Sequence, residues 1–132
     1  MNSQSNPILD FSGLPRFDAI RPEHVVPAID ALLHDCRNTT EQVALPGTPA
    51  TWDAVVEPLA AALDRLDRAW GAVRHLNAVV NTPALRDAYN ASLPGVIAFY
   101  TDLSQDLRLF DKYRALRAQP GFATLDTARR KL

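Results

Sequence analysis

The placement of prolines limits this chain more than any other feature. A proline offers a helix no backbone N–H and its ring crowds the preceding turn, so each one ends a helix, bends it, or sits in its first turn. Ten of the 132 residues are proline. Between them apolar residues recur at the i, i+3, i+4, i+7 spacing of amphipathic helices, and no strand alternation of useful length competes.

Residues 1–21 carry Pro7, Gly13 and Pro15 among Ile8, Leu9, Phe11, Leu14, Phe17 and Ile20. The stretch is too punctuated for a helix and too apolar for a free tail, so it is expected as an extended leader packed on the body. Pro22 suits a first helical position, but Pro27 would lack a donor in an interior. A short turn at 22–26 and a main helix near 27–44 are therefore predicted, with Ile29, Leu32, Leu33, Cys36, Thr40 and Val43 on its apolar face. Leu45-Pro-Gly-Thr-Pro49 is a loop. Thr51 caps a second helix whose stripe runs from Trp52 and Val55 through Leu66 and Trp70 to Val80, with a bend at Pro58. Thr82 and Pro83 open a third helix lined by Leu85, Tyr89, Leu93, Val96, Tyr100, Leu103 and Leu107, with a break expected at Pro94-Gly95. A shorter helix runs from Leu109 to Gln119 and stops at Pro120-Gly121, after which Thr124 caps a helix beginning at Asp126.

The expected fold is all-α: an antiparallel helical bundle of about four helices with an extended N-terminal leader. The domain reading is a leader over 1–21, a helical domain over 22–119, and over 120–132 the start of a truncated helix. Two turns of isolated helix are marginal in water, which is why this last stretch reads as cut short.

Composition narrows the function classes. The length suits one domain of about 100–200 residues. Fourteen Lys and Arg against fifteen Asp and Glu leave a net charge of −1, which gives no general attraction for nucleic acid or anionic lipid. Neither a nucleic acid nor a membrane is an expected partner. The single Cys36 reads as a small buried apolar residue in a reducing compartment. Met1 to Pro7 has no secretory pattern, and the uncharged run Ala88–Thr101 falls short of the roughly 20 apolar residues of a membrane span. A cytoplasmic location is expected.

Chemistry is sparse. His24, His34, His75 and Cys36 are the possible metal ligands, but His34 and Cys36, two apart on a helix, point roughly 200° from each other. The pattern H-E-x-x-H, which sets two histidines on one face around a general base, does not occur. The serines lie in no G-x-S-x-G elbow and the glycines form no phosphate loop. Asp64/Asp67 and Asp102/Asp106 are carboxylate pairs at helical spacing, expected on solvated faces, as is the alternation Asp64-Arg65 and Asp67-Arg68. Arg129-Arg130-Lys131 is expected to flank a helix rather than to bind nucleic acid. Trp52 and Trp70 belong to the apolar stripe, and His75 and Asn77 are expected as buried, hydrogen-bonded structural residues rather than catalysts. Accordingly no catalytic, cofactor-binding or metal residue is assigned.

Several ordered stretches nonetheless carry a resemblance: Asn6-Pro-Ile-Leu-Asp10, Leu14-Pro-Arg-Phe-Asp-Ala-Ile-Arg-Pro-Glu-His-Val-Val-Pro-Ala-Ile29, Thr51-Trp-Asp53, His75-Leu-Asn-Ala-Val-Val-Asn-Thr-Pro-Ala-Leu-Arg-Asp-Ala-Tyr89, Tyr113-Arg-Ala-Leu-Arg117 and Ala123-Thr-Leu-Asp-Thr-Ala128. Over residues 6–132 the chain resembles the N-terminal region of bacterial members of the thimet oligopeptidase family of zinc metallopeptidases. The resemblance implies a cytoplasmic, mostly helical parent enzyme with two lobes around a channel that admits short peptides. The zinc motif of the family lies far downstream, so zinc would belong to the full-length parent, with none bound here. Residues 22–119 would then be a non-catalytic helical domain forming part of the channel wall, inactive by itself, and 120–132 would lead towards the catalytic region. The alternative from the residues alone is a self-contained helical protein–protein interaction module without enzymatic activity. Apolar faces left uncovered would favour self-association.

Overall fold

The computed structural model describes residues 6–118. The helix expected after Thr124, the stretch 120–132 and the cluster Arg129-Arg130-Lys131 lie outside the described residues. Among the described residues the fold is all-helical, with α1 over Pro22–Ala44, α2 over Glu57–Val79, α3 over Pro83–Ser104 and α4 over Leu107–Ala118. A bundle of four helices matches the expected class.

Before α1 the chain forms a 3-10 turn, Pro7–Leu9, capped by Asn6, whose Oδ1 accepts from the Ile8 N–H while its Nδ2 donates to the His24 carbonyl at 2.9 Å. Ile8 and Ile20 are buried in the body. Arg68 of α2 fastens the segment between them, donating to the Gly13 carbonyl at 3.2 Å with its guanidinium over the Phe11 ring. Arg68 is exposed, as expected for the Asp64–Arg68 face, and from that surface it also spans two elements.

Helix α1 starts at Pro22, not at 27. Pro27 and Glu23, whose carbonyl loses its helical donor, are both exposed, so water can serve that oxygen and the helix continues. The Arg21 N–H donates to His24 Nδ1 at 2.9 Å, which supplies a cap. The same logic corrects the break expected at Pro94-Gly95: Pro94 and Asn90 are exposed and α3 runs through unbroken. Gly95 serves packing there, since a Cβ would lie 3.2 Å from Leu33 Cδ1 of α1. The second helix begins as expected at Thr51, whose Oγ1 accepts from the Ala54 N–H at 3.2 Å. Its first turn, Trp52–Val56, is a wider π-helical turn, and this turn sits immediately ahead of Pro58. Asn81, in the left-handed region at φ 52, reverses the chain between α2 and α3, where Thr82 caps and Pro83 follows.

The third helix ends at Ser104, so Leu107 belongs to α4, where it is 75% exposed. Asp106 explains the difference: its Oδ1 accepts from the Arg108 N–H at 2.9 Å and its carbonyl from Phe110, and so it starts a new helix.

α1 packs against both α2 and α3 around Val25, Ile29, Leu32, Leu66, Trp70, Val73, Val96 and Phe99. A separate, smaller core joins Val43, Val55, Val56 and Leu59 to Leu109 and Leu116 of α4, with Trp52 and Tyr113 at its margin.

Candidate functional site

The residues singled out from sequence do not converge. His24 serves the start of α1, and His34 is exposed and paired with Asn38 at 3.1 Å. Cys36 faces the interior, where its thiol donates to the Ala62 carbonyl at 3.3 Å and burial pushes it up to about 11. A thiol so held is a core group and not a nucleophile at neutral pH. His75 is exposed rather than buried, with its ring 5.1 Å from that of Phe17. Asn77 Oδ1 is buried without a hydrogen-bond partner, as is Ser92 Oγ, so the bonded role expected for Asn77 is not seen at that oxygen. Trp70 is buried and stacks on Tyr89 with centroids 4.9 Å apart. Among the described residues no group of three or more His, Cys, Asp or Glu side chains gathers to hold a metal.

Side chains do converge where the second half of α1 meets the α3–α4 junction. Arg37 and Glu41, one turn apart on α1, face Asp102 near the end of α3 and Arg108 in the first turn of α4. They border a cleft of about 320 Å³ completed by Thr40, Phe99, Leu103 and Asp106. Arg37 bonds Asp102 at 3.2 Å and lies over the Phe99 ring at 5.5 Å. Arg108 grips Glu41 through both terminal nitrogens, at 2.8 and 3.0 Å, and Asp106 at 2.9 Å. The carboxylate pair Asp102/Asp106 is therefore not simply solvated. Asp102 is open to water, but the Asp106 side chain is only 13% exposed.

Electrostatics define what this cleft can do. The hydrogen bonds from the Arg108 guanidinium hold the carboxyls of Glu41 and Asp106 below their ordinary values. Such carboxylates accept protons poorly, and an arginine already forked onto two of them has little left for a substrate anion. The geometry suits holding helices together, not acid–base chemistry.

Two further contacts bind the same region. Lys112 donates to the Thr48 carbonyl, and the Thr48 hydroxyl donates to the Gln42 carbonyl, linking α4 to the 45–50 loop and α1. Elsewhere the Tyr100 hydroxyl donates to Asp67, joining α3 to α2; burial and then that carboxylate hold the phenol well above its usual value. Asp67 lies on an exposed face, as expected, and accepts this bond from there. The pairs between helices could not be placed from sequence, because their partners lie 33 to 67 positions apart; only the Arg37/Glu41 spacing and the Asp106-Leu-Arg108 triplet hinted at them.

Comparison with known proteins gives the family context. The family described as neurolysin/thimet oligopeptidase, N-terminal domain, matches residues 29–132. Oligopeptidase A of Haemophilus influenzae is 44% identical over 129 residues, covering 98% of this chain and 19% of its own. Oligopeptidase A of Escherichia coli is 44% identical over 127 residues, covering 96% of this chain and 19% of its own. A probable cytosolic oligopeptidase A of Arabidopsis thaliana is 37% identical, covering 97% of this chain and 18% of its own. The chain thus spans about a fifth of the length of these relatives.

Proposed function

The chain belongs to the neurolysin/thimet oligopeptidase N-terminal domain family, and from that premise we propose that it is the non-catalytic helical domain of a zinc-dependent oligopeptidase that hydrolyses short peptides. In this reading the helices form part of the wall of the substrate channel, and a leader (1–21), a helical body (22–119) and a connection (120–132) lead on to the catalytic region. The observation that carries it is 44% identity over nearly the whole chain to proteins named for oligopeptide hydrolysis. A relative named as cytosolic supports a cytoplasmic setting.

The described residues do not fit zinc. His24 acts at a helix start, Cys36 is sealed in the core, and His34 and His75 are exposed on different helices. The metal's ligands and the chemistry it supplies would therefore come from other parts of the full-length protein. What these residues do is position helices.

Leu107 and Phe110, exposed on α4, favour a second reading as a helical interaction module. A fluorogenic oligopeptide separates the two. Mixed with this chain and Zn²⁺ it is expected to stay intact, while the product of the complete gene cleaves it. Turnover by this chain alone overturns the assignment of roles, and a gene that stops at Leu132 leaves the interaction module.

A further inference from the structure

We propose that Arg108, with the two carboxylates it grips on Glu41 and Asp106, is an electrostatic clasp that docks α4 on α1 and lets α4 detach as a unit while α1, α2 and α3 stay packed. The inference concerns how the domain moves and does not depend on the peptidase reading.

Three observations carry it. First, α4 has a thin apolar anchor: it buries Leu109 and Leu116, whereas α2 buries Leu59, Ala62, Leu66, Ala69, Trp70, Ala72, Val73 and Leu76. Second, cationic side chains of α4 reach across to the rest, with Arg108 forked onto Glu41 of α1 and Lys112 on the Thr48 carbonyl. Third, the helix is interrupted at the junction. Gln105 leaves helical geometry at φ −107 and ψ 5, and Asp106 caps α4 from its own side, so α4 keeps its N-terminal cap when it swings away. Arg37, Asp102, Asp111 and Lys112 are the other charged groups beside the clasp. Arg37 is already committed to Asp102, which leaves Glu41 as the α1 group that grips Arg108.

The device has a direction. Closing the clasp fixes the direction of α4, and opening it uncovers the Val43, Val55 and Leu59 side of the second core. Because the carboxylate of Glu41 is more than half exposed, salt reaches it, and ionic strength sets the fraction docked.

Amide hydrogen exchange on the whole 132-residue chain tests this. Raising salt from about 0.01 M to about 1 M shortens the screening length from about 30 Å to about 3 Å. Exchange in α4 is expected to speed up about fivefold, the size of an exposed but bidentate pair, with α1–α3 unchanged. Glu41→Gln is expected to show the fast α4 exchange already at low salt and to lose most of the salt response, while Asp111→Asn, on α4 outside the clasp, behaves as wild type. Unaltered α4 exchange in Glu41→Gln overturns the proposal whatever salt does. So does acceleration of α1–α3 together with α4, which means that α4 is no separate unit.

Discussion

The molecule has two cores, and they are held by different physics. Where α1, α2, α3 and the leader meet, apolar side chains fill the interior, and Ile29, Leu66, Val73 and Phe99 have essentially no exposure. Where the end of α1, the π turn and α4 meet, the apolar set is short and guanidinium, ammonium and carboxylate groups reach over it. Apolar burial scales with area and is not subject to Debye screening or to moderate pH, while exposed ion pairs give little net stability but respond to both. One core sets whether the chain folds, and the other sets where its last described helix lies.

The largest effect expected from breaking this contrast comes from leucine truncation. Leu66→Ala removes a fully buried side chain from the larger core and should cost about 3–5 kcal/mol, lowering the urea midpoint for every helix together. Leu116→Ala, at 6% exposure in the smaller core, should cost about 2 kcal/mol and show first as faster amide exchange confined to α4. Equal, global losses in both variants would merge the two cores into one cooperative unit.

Helical glycines sharpen the comparison at smaller scale. Gly71 lies inside α2 with open space where a Cβ would go, so Gly71→Ala should stabilise by about 1 kcal/mol through helix propensity alone. At Gly95 the new methyl meets the flexible end of Leu33 at 3.2 Å, and the neighbour must give by a few tenths of an ångström. Gly95→Ala should therefore gain only about 0.3 kcal/mol, the propensity term being offset by crowding in the larger core. Thermal unfolding of the two variants measures the difference. A gain at Gly95 as large as at Gly71 would show that α1 and α3 pack with slack.

How much of this was legible follows from the distance over which each feature is encoded. Thr51, Thr82 and Pro83 act on residues within one turn, so the starts of the second and third helices could be read directly. Pro27 and Pro94 misled because the sign of their effect depends on whether the freed carbonyl faces water, and burial is a tertiary property. Leu107 misled because it continues the spacing of Leu103 while Asp106 caps a new helix; both signals are local and the cap wins. His75 stood beside buried Val73 and Leu76, yet on a helix the next position lies about 100° away, and it faces outward. The absence of the H-E-x-x-H pattern was legible, since such a motif is written in consecutive residues. The clasp was not, because Glu41 and Arg108 are 67 positions apart.

Ionisation weights the two cores towards opposite ends of the pH scale. Glu41 and Asp106 are held below their ordinary values of 4.5 and 3.8 by Arg108, so the fold prefers them charged. Their contribution is complete above those values and drains as pH falls through the lower folded ones. Acid therefore loosens α4, and it also loosens the leader turn, where Asp10 is held down by its hydrogen bonds from Ser12. The larger core carries groups of the opposite sense. Cys36 is raised by burial from 9.0 to about 11, and Tyr100 is raised above its usual 10.0. Their contribution is complete below the unfolded values and is lost as pH climbs through the folded ones, starting above about 9 with the thiol. Tyr113, raised by burial beside the smaller core, adds only to the alkaline limb above 10.0. The two tryptophans report each side, Trp52 at the margin of the smaller core and Trp70 inside the larger one. With the other tryptophan replaced by Phe, Trp52 emission should shift first as pH falls below about 4, and Trp70 emission should stay native there and move first above about 9. Coincident acid transitions at the two tryptophans would refute the division, because they would mean that α4 cannot leave without the body unfolding.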